Sequence, residues 1–287
     1  MTGADTRLGP GTALRYRWIV TDLDGTLVDR DLAMVPRSRE ALRTFRSVGG
    51  QVVIATGRSA ASCRRYYDEL GLTGAAILLN GALIANLRTG DVLHESRLDE
   101  TAWTSVRALV ETLPPDVATV VFVGERALAT YQPAWVDAYA ARDRITIERI
   151  EDWDDIDGIS KVMLLGADTD AAHRIAAVAR RSATGVTVVM SEATYVELLP
   201  AGVDKGVALR WLADHEQVAL TEIAAVGDNP NDVPLLRASG FGVAVGDGHP
   251  EVRAAASAVA GTCLEGAVAD VVAIAIGAAP TAERGSP

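Results

Sequence analysis

The ten residues Ile19-Val20-Thr21-Asp22-Leu23-Asp24-Gly25-Thr26-Leu27-Val28 decide the fold of this chain. An apolar run ends in two carboxylates two places apart and then a glycine, as when a buried strand delivers a polar pair to a sheet edge. Alternate residues of a strand share a face, so Asp22 and Asp24 can point the same way, although Gly25 says that the chain already turns there. Like charges so close repel unless a cation or a shared proton relieves them. An ordinary polar turn, for which Asp and Gly are both favoured, is the competing reading while the segment is taken alone.

Working outward, short β-branched apolar runs alternate with helical stretches, which is the texture of βαβ units and a parallel sheet. Residues 18–21 read as the first strand. Ala41, Leu42, Phe45 and Val48 recur at helical spacing up to Gly49-Gly50, 52–55 read as a second strand, 60–70 as a helix and 75–79 as a third strand running into Asn80-Gly81. After about Ala85 strands become amphipathic. There 100–112, 135–142 and 171–182 suit helices, and 117–123, 161–165 and 187–190 suit strands. From about Thr194 buried βα units resume, with helices over 206–214 and 232–238 and strands over 223–226 and 242–245. The expected organisation is one α/β core of two segments, 15–84 and 194–277, with a smaller α/β unit, 85–193, inserted between them. Residues 1–14 and 278–287, rich in Gly, Pro, Thr and Ala, are expected to be poorly ordered ends.

Size and composition narrow the function. At 287 residues the chain can bury a sizeable core, and 49% apolar with 23% charged residues is ordinary globular usage. A net charge of -11 argues against a nucleic-acid partner or an anionic membrane surface, while leaving room for a local basic pocket. Cys63 and Cys263 form no CxxC pattern, so neither a disulfide framework nor a zinc site is expected. No apolar leader or membrane-length run is seen, and a soluble cytoplasmic protein is expected, as a monomer or homodimer.

Ligands of parallel sheets sit beyond the carboxyl ends of the strands, so polar residues directly after apolar strands are collected together. Three clusters result: Asp22 with Asp24; Thr56-Gly57-Arg58, whose hydroxyl and backbone amide suit a phosphate oxygen; and Gly227-Asp228-Asn229-Pro230-Asn231-Asp232. The last crowds two carboxylates and two carboxamides into one loop, the oxygen-rich setting that Mg²⁺ prefers, and a helix cap accounts for only one of them. Lys205, in Gly202-Val203-Asp204-Lys205-Gly206, could supply the positive charge that a phosphate among carboxylates needs.

Taken in order, these four segments resemble the four motifs of the haloacid dehalogenase (HAD) superfamily, specifically its Cof-like phosphatase subfamily. The resemblance covers all but the two ends, and Asn80-Gly81-Ala82 is similar to that subfamily's segment leading into an inserted cap. It implies a Rossmann-like α/β core with an α/β cap between the third core strand and the motif lysine. It implies further that Asp22 attacks phosphorus and becomes an aspartyl phosphate, and that Asp24, protonated at first, serves the leaving oxygen and then the attacking water. Mg²⁺ would be held by Asp22, the backbone carbonyl of Asp24 and Asp228, with Asp232 in support directly or through water. Thr56, Gly57, Lys205 and Asn231 would hold the phosphoryl group, and Arg58 and Asn80 would touch the leaving group.

This sequence departs from the pattern at Asn229, where a Ser is usual, and at Val243-Ala244-Val245-Gly246-Asp247, which lacks the customary Asn. A small phosphorylated metabolite is the expected substrate, most of all a sugar phosphate, with FMN or pyridoxal phosphate (PLP) as alternatives. A phosphomannomutase-like transferase is a rival, set back by the absence of a longer glycine-rich fourth motif. A regulator that only binds a ligand is a more distant one, since its site would not need all four charges. The four histidines show no metal spacing, and the acidic run of Asp152, Asp154, Asp155 and Asp157 lacks the register of a calcium loop.

Overall fold

The computed structural model describes residues 14–154 and 156–277. The expected disordered ends therefore lie outside the described residues, except Leu14, which packs partly buried against the core.

Four buried residues, Trp18–Thr21, form β1. Pro36–Ser47 (α1) opens on a proline, which the first helical turn tolerates, and buries Leu42 and Phe45. Then come β2 (Gln51–Ile54), α2 (Ala60–Glu69, capped by the Ser59 side chain) and β3 (Ala76–Leu78). The chain continues through β4 (Leu83–Ala85), β5 (Val92–Glu95), α3 (Glu100–Val110), β6 (Val117–Val123), β7 (Arg126–Ala129), α4 (Ala134–Asp143), β8 (Ile147–Arg149), β9 (Ile159–Gly166), α5 (Thr169–Ser182), β10 (Val186–Glu192) and β11 (Tyr195–Pro200). It closes with α6 (Lys205–His215), β12 (Ile223–Gly227), α7 (Val233–Ala238), β13 (Phe241–Ala244), α8 (Pro250–Ala255), β14 (Ala258–Val259) and α9 (Ala267–Ala275).

The first sheet has the order β14-β13-β12-β1-β2 and is parallel throughout, and a bridge from Ala55 to Ile77 ties β3 to its far edge. Both faces are covered. Ile19, Val52, Ala224 and Val243 share one cluster with residues of α1, α2 and α9, while their neighbours Val20, Val53, Ala225 and Ala244 pack with α6, α7 and α8. That double burial is why these strands read as continuous apolar runs. β1 and β12 are neighbours in register, Thr21 opposite Val226, so Asp22 and Asp228 leave the sheet side by side.

The second sheet, β10-β11-β9-β6-β7-β8, is antiparallel except for its β7–β8 pair. One face, including Val121, Val162, Leu164, Val196 and Leu198, packs on α3 and α5. The opposite face carries Val120, Phe122, Met163 and Leu165 and joins the cluster that runs into the first sheet. An α/β core with a smaller α/β cap is the architecture expected.

Sheet membership moves both expected crossings between the layers. β4 and β5 form a small antiparallel sheet with β3, and Ile84 and Leu93 pack in the core, so the chain leaves it after Glu95 and not at residue 85. Residues 195–200, expected in the core, are β11, paired on both sides within the cap sheet, and the chain returns just before α6. Among the described residues no helix is long and apolar enough to cross a membrane.

Candidate active site

Beyond the carboxyl ends of β1, β2 and β12 lies a cavity of about 220 Å³. The core supplies Asp22, Asp24, Thr56, Gly57, Arg58, Asp228, Asn229 and Asn231, and the cap supplies Tyr139, Arg142, Asp143, Met163, Ser191, Glu192, Tyr195 and Glu197. All three strand-end clusters predicted from the sequence thus meet in one place.

Asp22 is held by its backbone N–H, which donates to the Val226 carbonyl at 3.0 Å, and its carboxylate receives the Lys205 ammonium at 2.6 Å. Lys205 starts α6 behind the capping carboxylate of Asp204, is 1% exposed, and also donates to Asp232 Oδ1 at 2.7 Å. Burial works against its charge, but the two carboxylates outweigh burial and raise its pKa, so it stays an ammonium. Asp232 is fully buried, and its Oδ2 accepts from the backbone N–H groups of Asp228 and Asn229 at 3.0 and 3.1 Å. Both Asp232 oxygens are therefore engaged, Oδ1 by Lys205 and Oδ2 by the loop.

The chain turns sharply at Gly25, whose φ is +79°, and a Cβ there would lie 2.5 Å from Asp228 Oδ2. Only glycine meets both demands. The turn lets Thr26 donate its hydroxyl to Asp228 Oδ1 at 2.7 Å.

One carboxylate oxygen from each of Asp22, Asp228 and Asp232 falls within 4.8 Å of the others. Three carboxylates face one ammonium, and the imbalance is visible in the acidity of Asp22 and Asp228. Burial, with Asp232 and Asp228 adding and Lys205 opposing, raises Asp22 well above the usual range. Asp228 is pushed up to about 7 by burial and Asp232, against the Thr26 hydrogen bond. Hard oxygen donors carrying surplus negative charge suit a divalent cation, which would bring both groups back to the ionised state. Asp22 and Asp228 have oxygens left for it.

Asp24 is gripped by arginine from both domains. Its two oxygens accept from Arg58 Nη2 and Nε, each at 2.7 Å, and Arg142 of the cap approaches Oδ1 at 3.6 Å. Burial alone would raise its pKa, but the hydrogen bonds and charge of Arg58 prevail and lower it. With Arg58 docked on it the carboxylate form of Asp24 is favoured, because a planar guanidinium fork matches a carboxylate at both ends.

Thr56 is buried and lines the cavity, and its Oγ1 accepts the Arg58 N–H at 3.1 Å. Arg58 itself, expected to touch the leaving group, is held on several sides: besides Asp24 it donates to Ser62 Oγ at 2.6 Å and pairs with Asp143 of the cap at 3.2 Å. Asn80 lies behind the cavity wall and joins Glu197 of β11 to Asn231, which does line the cavity. Leu79 and Asn80 have φ of +50° and +55°, a strained pair costing on the order of 1–3 kcal/mol each. They hold because Leu79 N–H donates to the Arg58 carbonyl and Asn80 N–H to the Thr56 carbonyl, at 3.1 and 3.0 Å. Gly81 follows with φ +103°, its α-carbon packed so close to the Asp204 carbonyl that no side chain would fit.

The sequence reading did not name the cap wall. Arg142 pairs with Glu192 at 2.6 Å, and Lys161 with Glu197 at 3.1 Å. Arg142 and Asp143 look like ordinary charges at a helix end. Lys161 in Ile159-Ser160-Lys161-Val162-Met163 and Glu197 in Tyr195-Val196-Glu197-Leu198-Leu199 did carry a signal, since a lone charge inside an apolar strand is buried only with a partner.

Comparison with known proteins supplies the family. Residues 19–272 match the family of haloacid dehalogenase-like hydrolases. The chain belongs to that family. It is a hydrolase, of the Cof-like kind that its motif order implied. Bacillus subtilis YxeH is 28% identical over 249 residues, 84% of this chain and 92% of its own. The pyridoxal phosphate phosphatase YbhA of Escherichia coli is 26% identical over 85% of this chain and 93% of its own. A haloacid dehalogenase-like hydrolase of Bacteroides thetaiotaomicron has a crystal structure that matches with a TM-score of 0.79 at 25% identity, over 90% of this chain and 98% of its own.

Proposed function

We propose that this HAD enzyme is a Mg²⁺-dependent phosphatase that hydrolyses a small phosphorylated metabolite, a sugar phosphate above all, through an aspartyl phosphate on Asp22. The observation that carries the reading is the Asp22 carboxylate, aimed into the cavity beside Asp228 and held at 2.6 Å by a buried lysine. In the first step an Asp22 oxygen attacks phosphorus, and the leaving alkoxide takes a proton from Asp24. In the second, water attacks the aspartyl phosphate, Asp24 accepts its proton, and inorganic phosphate leaves. Mg²⁺, held by Asp22, Asp228 and the Asp24 carbonyl, with Asp232 bracing the loop, would neutralise charge on the phosphoryl oxygens. Thr56, the Gly57 amide, Lys205 and Asn231 orient the phosphoryl group.

The ionised Asp24 held by Arg58 is the form that the second step needs as a base. For the first step Arg58 must release it, so that Asp24 takes up a proton from solvent before the ester oxygen leaves, and Asp143 of the cap, 3.2 Å from Arg58, is a ready alternative partner for the guanidinium. Arg58→Leu should therefore alter the pH profile of turnover, and an unchanged profile would remove Arg58 from control of Asp24.

The cavity wall supports a hydroxyl-rich leaving group. Arg58 and Arg142 are both committed to carboxylates, which leaves no free cation on the wall among the described residues for a second phosphate, while Asp143, Glu192 and Ser191 offer acceptors for hydroxyl donors. A second reading, PLP as substrate, is favoured by the edge-to-face pair Tyr139 and Tyr195 on the wall, with ring centres 5.4 Å apart, and by the likeness to YbhA. A phosphate-release screen with Mg²⁺ decides: sugar phosphates should be hydrolysed fastest, a preference for PLP or FMN moves the substrate class, and no release from any phosphoric monoester overturns the reading.

A further inference from the structure

Two buried charges of the cap lie outside the chemistry just described. Lys161 on β9 is 1% exposed and Glu197 on the adjacent β11 is 2% exposed. Burying such a pair in an apolar sheet is a poor way to stabilise it, because desolvation offsets most of the attraction. Both side chains instead reach out of the cap into the core. Lys161 Nζ donates to the Gly57 carbonyl at 2.8 Å, and Glu197 Oε2 accepts from Asn80 Nδ2 at 2.8 Å. We infer that Lys161 and Glu197 are positioning residues through which the cap sets the orientation of the phosphate-holding groups Thr56 and Asn231.

The logic follows from donor and acceptor inventories. An ionised carboxylate only accepts, so Glu197 fixes the Asn80 amide with its nitrogen toward the cap and its oxygen toward the core. Asn80 Oδ1 then accepts from Asn231 Nδ2 at 2.9 Å, which fixes the second amide in turn. On the other branch, Lys161 holds the carbonyl of the Gly57–Arg58 peptide. The N–H of that same peptide donates to Thr56 Oγ1, so the Thr56 hydroxyl proton is free to point elsewhere, toward a phosphoryl oxygen. Ser191 Oγ donates to the other Glu197 oxygen at 2.5 Å and holds the carboxylate in place. One cap ion pair therefore sets one donor on each of two core loops that come from distant parts of the sequence.

This inference rests on the phosphatase reading, and its test separates the two. Wild type, Glu197→Gln and the apolar double variant Lys161→Met/Glu197→Leu are compared for kcat and KM on p-nitrophenyl phosphate, for inhibition by inorganic phosphate, and for Tm. The carboxamide of Glu197→Gln keeps the shape but can donate, which frees the Asn80 amide to turn. Both variants should raise the inhibition constant of phosphate and KM by about 10-fold, the weight of a lost charge-assisted hydrogen bond, while the double variant keeps its Tm within a few degrees. An active wild type whose folded double variant binds phosphate as tightly overturns the inference alone. Should the double variant fail to fold, Glu197→Gln decides, and an unchanged phosphate inhibition constant overturns it. A wild type that neither hydrolyses the ester nor is inhibited by phosphate overturns the phosphatase reading and this inference with it.

Discussion

The two walls of the cavity are charged in opposite styles. On the core side Asp22, Asp228 and Asp232 share one ammonium and leave negative charge uncompensated. On the cap side Arg142 meets Glu192, Lys161 meets Glu197, and Asp143 meets Arg58, so each charge has a partner. An unbalanced acidic cluster attracts a cation, whose charge can in turn hold a phosphoryl group, while a balanced one can discriminate only by shape and hydrogen bonds. On the proposed reading, chemistry belongs to the first wall and selection to the second.

The sharpest way to break this division is to alter the core. Asp22→Asn removes the proposed nucleophile, and kcat for phosphate release should fall by roughly 10⁴-fold or more while circular dichroism stays unchanged; retained turnover would sink the mechanism. Lys205→Met should cost about 3–5 kcal/mol of stability, because it strands two buried carboxylates, read as a drop in Tm of about 10 °C. Adding Asp22→Asn to it should restore part of that loss, and a double variant no more stable than the single one would deny the pairing. Cap changes should act more mildly and selectively. Arg142→Ala is expected to lower kcat/KM for the preferred sugar phosphate about 10-fold, with a much smaller effect on p-nitrophenyl phosphate. Equal losses on both substrates would end the assignment of selection to the cap.

The smallest effect concerns a thiol under the core wall. Burial pushes Cys63 up to about 12, against the nearby Arg58 charge. A raised pKa means that the folded state favours the protonated thiol. Its contribution is therefore intact below the unfolded pKa of about 8.5 and is lost as pH rises toward 12, by about 1.4 kcal/mol at about pH 9.5. Urea midpoints of wild type and Cys63→Ala should converge between neutral and alkaline pH, and parallel curves would contradict it.

The same contrast explains what could be read from the sequence. Each core cluster lies within six residues and directly follows a strand buried on both faces, so spacing alone gathered Asp22, Thr56 and Asp228. Apart from Glu197 the cap sheet's β11 is as apolar as a core strand, and that charge calls for a partner without telling that the paired strands are β9 and β10. Hence the expected return to the core came too early. The ionisation of Asp24 was hidden for a related reason, since it depends on a guanidinium 34 residues away. Pairings at long range are set by topology, and a local pattern carries no record of them.

The return of the chain to the core has a mechanical side. It ends at Asp204, whose carboxylate receives the Val207 N–H at 2.7 Å and whose carbonyl is pressed against Gly81. Lys205 is the next residue. Were the cap to swing, the displacement would travel along this connection almost to the ammonium itself, and the Asp204 anchorage would be the fulcrum that holds the lysine still.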